Sequence, residues 1–171
     1  MRRSSAKKLV QSLESWQDGL AGLGESVIQF QRIEDTVAIC ISAMVNRSRT
    51  VGEILTAEMS FRAKVATFQA LFAHLLKSAE LPEDVQALIG RLHWAEQQRN
   101  TFVHSMWDAS ETRPSCILRQ KKAIRKGALR SNKEYMSARD FEELNALFEG
   151  IVTDLIYTTS QHFPKVEKKL L

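Results

Sequence analysis

Residues 26–46 read SVIQFQRIEDTVAICISAMVN, and apolar side chains recur in this stretch at the spacing of an α-helix. Because an α-helix has 3.6 residues per turn, side chains three or four positions apart lie on one face. The apolar residues that share this face are Phe30, Ile33, Val37, Cys40, Ile41 and Met44. The stretch therefore predicts a long helix, from about Ser26 to Asn46, that buries one side.

Three further helices are predicted around this one. A short first helix lies within residues 1–24 and ends at Asp18-Gly19, and the glycines up to Gly24 predict a connector. A break is predicted at residues 49–52. The two helices that follow span about Ser60 to Ser78 and, with Pro82 in its first turn, Glu83 to about Asp108.

The pattern changes after Pro114. Residues 115–124 and 128–136 are short segments of mixed polarity on either side of Lys126-Gly127. Such segments predict an extended, hairpin-like excursion, which lies within an insertion at residues 113–136.

A final helix is predicted after this insertion. Ser137, with Asp140 three residues later, has the spacing of a capping box, which marks a helix start. The apolar face of the helix consists of Phe141, Leu144, Leu147, Phe148, Ile151, Leu155 and Ile156. The tail, residues 163–171, is predicted to fray or to dock as a small segment.

The composition agrees with a helical chain. Among its 171 residues are only seven glycines and three prolines, so residues that break helices are rare. The length is that of one domain. We therefore expect a single all-α domain over residues 1–171, an antiparallel bundle of four main helices plus the short N-terminal helix. The basic insertion precedes the last helix.

Several classes of protein are excluded by what the chain lacks. Cys40 and Cys116 lie far apart with no CxxC spacing, so neither a disulfide framework nor a zinc site is expected, and we expect no metal and no other cofactor. No apolar signal-peptide core precedes Glu14. The longest apolar stretch, residues 37–45, is too short to span a bilayer. We expect a cytoplasmic protein with no membrane partner.

Basic residues are concentrated in one part of the chain. Residues 113–133 contain eight basic and no acidic residues, although the whole chain has a net charge of only +4. A localised basic field attracts phosphate-rich ligands. The residues predicted to contact RNA phosphates are Arg119, Lys121, Lys122, Arg125 and Lys126. The alternative is an ordinary solvated charged surface.

A second informative stretch is residues 98–107, QRNTFVHSMW. On the predicted helix, Arg99 falls on the apolar face, whose other members are Val85, Leu88, Ile89, Leu92, Val103 and Met106. A buried guanidinium needs a partner, and Glu34 on the long helix is the best candidate. This pair is either purely structural or part of a site.

The same helix has a polar face, formed by His93, Gln97, Asn100 and His104. Asp108, four residues after His104, is placed to orient its imidazole. Solvation is the alternative role for this face. On an ideal helix, Arg99 and His104 are about 140° apart. They converge only if the arginine reaches around, the helix unwinds, or a second subunit supplies one of them.

The string from Arg99 to His104 resembles the R-x4-6-H motif of HEPN (higher eukaryotes and prokaryotes nucleotide-binding) domains, in which a polar residue, here Asn100, follows the arginine. The helical context over about residues 26–161, the acidic Glu34 and Trp107 after the histidine are also similar. The resemblance implies a metal-independent endoribonuclease that works as a homodimer, with two motifs in one cleft.

The resemblance also implies a role for each motif residue. His104 would act on the proton of the ribose 2′-OH or on the leaving oxygen, since histidine titrates near working pH. Arg99 would stabilise the charge on the transition-state phosphate. Asn100 would position the imidazole or the phosphate.

Two functions are open at this point. The first is a ribonuclease, a toxin or defence effector, whose partners are RNA, a second copy and an antitoxin or other protein. The second is a non-catalytic helical interaction or nucleic-acid-binding module in which Arg99 and His104 are structural. An enzyme leaves His104 reachable from solvent, whereas a structural histidine is buried and hydrogen-bonded.

Overall fold

The computed structural model of the chain describes residues 2–45, 48–125 and 128–164. These residues form five helices and three strands, in this order: α1 (Arg2–Met44), α2 (Arg49–Thr56), α3 (Phe61–Leu76), α4 (Glu83–Val103), β1 (Met106–Ala109), β2 (Ile117–Arg125), β3 (Ala128–Met136) and α5 (Ala138–His162). The chain is mostly helical, as predicted. The all-α class is wrong, because the three strands form a sheet.

The chain folds into two compact units. The sheet unit consists of Met1–Ile28 and Gln98–Ala146, and it contains the three strands. The helical unit consists of Gln29–Gln97 and Leu147–Leu171, and it contains α2 and α3. Helices α1, α4 and α5 each contribute residues to both units.

The helix α1 is continuous where a short helix and a glycine connector are predicted. Within the sheet unit, a Cβ on Gly19 would lie 2.5 Å from Cγ2 of Ile117, and one on Gly22 would lie 2.7 Å from Cβ of Phe141. The two glycines therefore let β2 and α5 approach the helix closely. This packing offsets the cost of glycine in a helix, about 1 kcal/mol each. The predicted end of the first helix and the predicted glycine connector are therefore wrong, and Gly19 and Gly22 serve packing instead.

The predicted apolar stripe of the long helix is confirmed. All six of its residues are buried, and Phe30 packs on Phe61 of α3 and Phe148 of α5, at centroid distances of 4.8 and 6.4 Å. The helix α3 begins where the sequence predicts, because the hydroxyl of Ser60 accepts a hydrogen bond from the N–H of Ala63. These contacts form the core of the helical unit.

A short helix, α2, begins where a break is predicted. The hydroxyl of Ser48 accepts from the N–H of Val51 and caps the helix. Ser42 donates to the carbonyl of Ser48 at 2.9 Å, and the buried Gly52 lies directly against the Ser42 side chain. Gly52 thus permits a close contact instead of ending a helix.

The helix α5 begins with the predicted capping box. The backbone N–H of Ser137 donates to Asp140 Oδ2 at 2.7 Å, and the N–H of Asp140 donates to Ser137 Oγ at 3.3 Å. Most of the predicted apolar face is buried. Leu147 is the exception, because its side chain is exposed, and Ile156 is half-buried.

The strands form an antiparallel sheet in the order β1-β2-β3. The strand β1 pairs only with residues 117–120 of β2, whereas β2 and β3 pair from Ile117 opposite Met136 to Arg125 opposite Ala128. Beyond Gln120 the hairpin is therefore two-stranded, and we call residues 121–125 and 128–132 the β-arm. The predicted hairpin-like excursion is confirmed. Its predicted turn, Lys126-Gly127, lies outside the described residues, as does the predicted tail from residue 165 onward.

Glu34 has a partner in the helical unit that the sequence does not reveal. Its Oε1 lies 2.6 Å from Nζ of Lys64 in α3, and the two side chains are only 20% and 10% exposed. Periodicity places Glu34 at the rim of a helix face but does not show which helix lies opposite. Lys64 was therefore missed.

Replacing Lys64 with Ala is expected to lower the free energy of unfolding by about 3 kcal/mol, because Glu34 keeps a half-buried charge without its ammonium partner. The double variant Glu34→Leu/Lys64→Met removes both charges and keeps the volume, so it should match or exceed the wild type. Urea denaturation followed by circular dichroism measures both. If the single and double variants lost the same free energy of unfolding, the stabilising role of the ion pair would be contradicted.

Candidate active site

The motif residues lie at the C-terminal end of α4, within the sheet unit. The helix ends at Val103, and β1 begins at Met106, so the predicted continuation of the helix to Asp108 is wrong. His104 directly follows the last helical residue, and its backbone N–H still donates to the carbonyl of Asn100 at 3.2 Å. The strand after the motif was not predicted.

Side chains that follow the helix determine where α4 ends. The last four carbonyls of an α-helix have no partner within the helix. The hydroxyl of Ser105 donates to the carbonyl of Thr101 at 2.5 Å, and the indole N–H of Trp107 donates to the carbonyl of Phe102 at 3.0 Å. The carbonyl of Phe102 also accepts the backbone N–H of Ser105, at 3.4 Å. These bonds satisfy carbonyls at the end of the helix, so the chain leaves the helix here at low cost.

Trp107 also joins an aromatic cluster with Phe102 and Phe141. The ring centroids lie 5.9 to 6.1 Å apart, and Phe102 and Phe141 are buried. This cluster explains why Phe102 is buried while Val103 and Met106, which belong to the predicted apolar face, are exposed. Trp107 is half-buried because its ring packs on Phe102 and Phe141 of its own chain.

Arg99 and Asn100 contact each other. Nη1 of Arg99 donates to Oδ1 of Asn100 at 3.0 Å, and both side chains are half-buried. Arg99 lies on the helix face that also carries the buried Ala95 and Phe102. It is less deeply buried than the periodicity predicts.

The side chain of His104 is exposed. The separation of about 140° between Arg99 and His104 applies to an ideal helix that continues through both residues. Because α4 ends at Val103, that angle does not determine the direction of the imidazole. Exposure to solvent is what a ribonuclease requires of this histidine.

Asp108 lies on β1, opposite Leu118, and is exposed. Its predicted role depends on a helical spacing of four residues from His104, and this spacing does not exist because the helix ends first. Asp108 instead lines a cleft of about 520 Å³ on the sheet, together with Lys133 and Tyr135. The guanidinium of Arg113 lies 4.4 Å from the centroid of the Tyr135 ring, which is a cation–π contact.

The predicted phosphate contacts differ from one another in their surroundings. Arg119 is only 12% exposed, forms an ion pair with Glu134 directly opposite on β3, and lies 6.0 Å from the Phe102 ring. Its guanidinium therefore stabilises the pairing of β2 with β3. Lys121 and Lys122 are exposed on the β-arm. Arg125 is the last residue of β2, and Lys126 lies outside the described residues.

Two further cations accompany Lys121 and Lys122 but were left out of the predicted contacts. Arg130 and Lys133 are exposed on β3. Because side chains alternate along a strand, the register places Lys121 and Arg130 on one face of the hairpin and Lys122 and Lys133 on the other. The sequence could have indicated both residues, because the alternation of side chains along a strand over residues 128–136 assigns each of these cations to a face of the hairpin.

No known protein family, curated protein or solved structure matches the chain. In the described part of the chain, no three or more His, Cys, Asp or Glu residues are grouped as metal ligands. None of the described helices has the length and hydropathy to cross a bilayer. The likeness to HEPN domains thus stays a hypothesis that depends on Arg99 to His104 and their setting.

Trp107→Phe removes the indole donor and keeps most of the ring. We expect it to lower the free energy of unfolding by about 1–2 kcal/mol, because the carbonyl of Phe102 loses a partner. His104→Ala should change that free energy by less than about 0.5 kcal/mol, because the side chain is exposed. Urea denaturation compares the two variants. Equal losses would mean that Trp107 does not hold the end of α4.

Proposed function

We propose that the protein is a metal-independent endoribonuclease of the HEPN type, acting on RNA in the cytoplasm. The observation that supports this most is the end of α4. There Arg99 contacts Asn100, and an exposed His104 follows the last helical residue. A cation, an amide and a titratable imidazole within six residues are the groups that cleavage of a phosphodiester needs. The four main helices would form the antiparallel bundle of that family.

The proposed reaction needs no metal ion. The ribose 2′-oxygen attacks the adjacent phosphorus, the bond from phosphorus to the 5′-oxygen breaks, and a 2′,3′-cyclic phosphate and a 5′-hydroxyl result. One imidazole accepts the 2′-OH proton, and another donates a proton to the leaving 5′-oxygen. Each chain contributes one His104, so a homodimer supplies both. The guanidinium of Arg99 stabilises the charge on the phosphate oxygens.

The proposed homodimer pairs the polar faces of α4. Gln97 and His104 are exposed, and His93 and Asn100 are half-buried, so all four have solvent access on the single chain. Asn100 would hold the guanidinium of Arg99 through the contact described above. A ribonuclease that cleaves cellular RNA needs control, and we propose an antitoxin or another protein partner in a toxin or defence system for that role.

The β-arm would bind the RNA backbone. Lys121, Lys122 and Arg130 project from a two-stranded hairpin that carries cations on both faces. Contacts of this kind are independent of sequence and sensitive to salt. The second candidate function, nucleic-acid binding without cleavage, is favoured by this arm alone, and the two experiments below separate it from the ribonuclease.

The purified protein should cleave mixed RNA in the presence of EDTA. His104→Ala should lower the rate at least about 100-fold, because a general acid–base group typically contributes that much. His74→Ala, which changes an exposed histidine on α3, is the matched control and should keep the wild-type rate. Gel electrophoresis of end-labelled RNA measures both. Equal cleavage rates in the wild type and His104→Ala, or no cleavage by either protein, would refute the proposed ribonuclease activity.

Replacing Lys121 and Lys122 with Ser should weaken RNA binding without unfolding the protein. The slope of log affinity against log salt should fall by about 0.7 per lost single-strand contact. Titrations in the His104→Ala background avoid loss of RNA to cleavage. Arg49→Ser/Arg62→Ser removes the same charge from exposed positions in the helical unit and should keep the wild-type slope. If the salt dependence of RNA affinity were unchanged in the variant with Lys121 and Lys122 replaced, the β-arm would be shown to be an ordinary solvated surface.

A further inference from the structure

The sheet has a second face, opposite the one that packs on the aromatic cluster. Trp107 and Arg119, which lie near Phe102, are on the packed face. Because side chains alternate along a strand, the residues next to them in sequence, and the partners of those residues on β3, are on the opposite face. We call this the outer face, and the register arranges it in two rows, Met106, Gln120 and Lys133 in one and Asp108, Leu118 and Tyr135 in the other.

The cleft of about 520 Å³ lies on this outer face. All the outer-face residues except Met106 line it, and residues 109–112, at the end of β1 and in the loop after it, form the rest of its wall. The hydroxyl of Thr112 donates to that of Tyr135 at 3.2 Å, so the loop contacts β3 beside the cleft. A concave site of this volume is large enough for a small ligand or for one group of a larger ligand.

The polar side chains of the outer face are open to a ligand. Within residues 2–45, 48–125 and 128–164, no residue forms a hydrogen bond or an ion pair with the side chains of Asp108, Gln120 or Lys133. The packed face differs, because Arg119 there is paired with Glu134. A carboxylate offers two acceptor oxygens, an amide offers a donor group and an acceptor, and an ammonium offers three donors. The cleft therefore presents acceptors, a donor and a cation together.

We propose that the cleft binds one unstacked base of the RNA and prefers guanine; this rests on the proposed function, because it takes RNA as the ligand. The Watson–Crick edge of guanine has two adjacent donors, the ring N1–H and the 2-amino group, beside the O6 acceptor. The carboxylate of Asp108 accepts from both donors, and the amide of Gln120 donates to O6. These two residues are diagonal neighbours on β1 and β2, and such neighbours are about 7–8 Å apart, which leaves room for a base edge.

The other bases lack this pattern of donors. Adenine and cytosine each have an amino donor beside a ring nitrogen that accepts, and uracil has one N–H between two carbonyl acceptors. An acceptor that faces the carboxylate of Asp108 is repelled by it and leaves one carboxylate oxygen without a partner. Guanine is thus the base that uses both oxygens of Asp108.

The surroundings of the cleft suit a nucleotide within a strand. Lys122, exposed two positions after Gln120 on β2, is on the same face as Lys133, so both ammonium groups can contact phosphates beside the bound base. His104 precedes Asp108 by four residues, and an extended chain of that length spans at most about 14 Å. The bound base therefore belongs to a nucleotide close to the phosphodiester that His104 would cleave.

Binding of short RNA to the full chain tests the base preference. The probes are four fluorescein-labelled octamers of uridine that carry G, A, C or U at one internal position. They are titrated by fluorescence anisotropy against His104→Ala, so that cleavage does not interfere. We expect the octamer with G to bind at least about 10-fold more tightly than the other three. Equal affinities for all four octamers would overturn the proposal.

Asp108→Asn tests the contact itself, because an amide has one acceptor oxygen and cannot accept from guanine with two. In the His104→Ala background this exposed substitution should abolish the preference for G over A. Glu111→Gln is the matched control, since it removes the same charge from the loop beside the cleft and should keep the preference. A preference for G that persists in Asp108→Asn, or is lost equally in both variants, would overturn the proposal.

Cleavage by the protein with His104 intact separates this proposal from the ribonuclease. Cuts in end-labelled mixed RNA should lie beside guanine, and Asp108→Asn should remove that bias. Cleavage beside all four bases alike would overturn the guanine site while it supports the ribonuclease. A preference for G in binding without any cleavage would support the guanine site and refute the ribonuclease.

Discussion

The hydrogen bond from the indole of Trp107 to the carbonyl of Phe102 is the contact on which the sheet unit depends. It is the shorter of two hydrogen bonds to this carbonyl at the end of the helix, the other coming from the N–H of Ser105, and the same indole packs on Phe102 and Phe141. The chain thereby turns from α4 into β1, and β1 supplies the first strand of the sheet. The exposure of His104 follows from the same turn, because it lies just beyond the last helical residue.

Residues of one type have different roles in this chain according to their surroundings, as the glycines of α1 and the basic residues of β2 show. Gly19 and Gly22 admit neighbouring side chains, whereas Gly24 faces open space. Arg119 and Lys121 are two positions apart on one strand, yet Arg119 is paired with Glu134 against the aromatic cluster and Lys121 is solvated. The position along the hairpin decides whether the cation is buried. Only the base of the hairpin lies against the core, so only a cation there is desolvated and needs an ion-pair partner.

Much of the fold is legible in local patterns. The buried stripe of α1, the cap of α5 at Ser137 and the hairpin on either side of residues 126–127 are all visible in residue spacing. The sequence predicts only part of the candidate site. Arg99, Asn100 and His104 are recognisable as a string, but the orienting role of Asp108 depends on a helix that ends before reaching it.

The sequence by itself determined the four main helices and the β2–β3 hairpin, where basic charge is concentrated, and which six residues form the motif. Those properties depend on neighbours within about one helical turn or one strand pair. Only the tertiary structure decided that α1 continues through its glycines, that Glu34 pairs with Lys64, and that α4 stops at Val103. Each of these depends on a side chain distant in sequence or on a competition between helical propensity and a cap, and spacing along the chain does not encode the energy of such contacts.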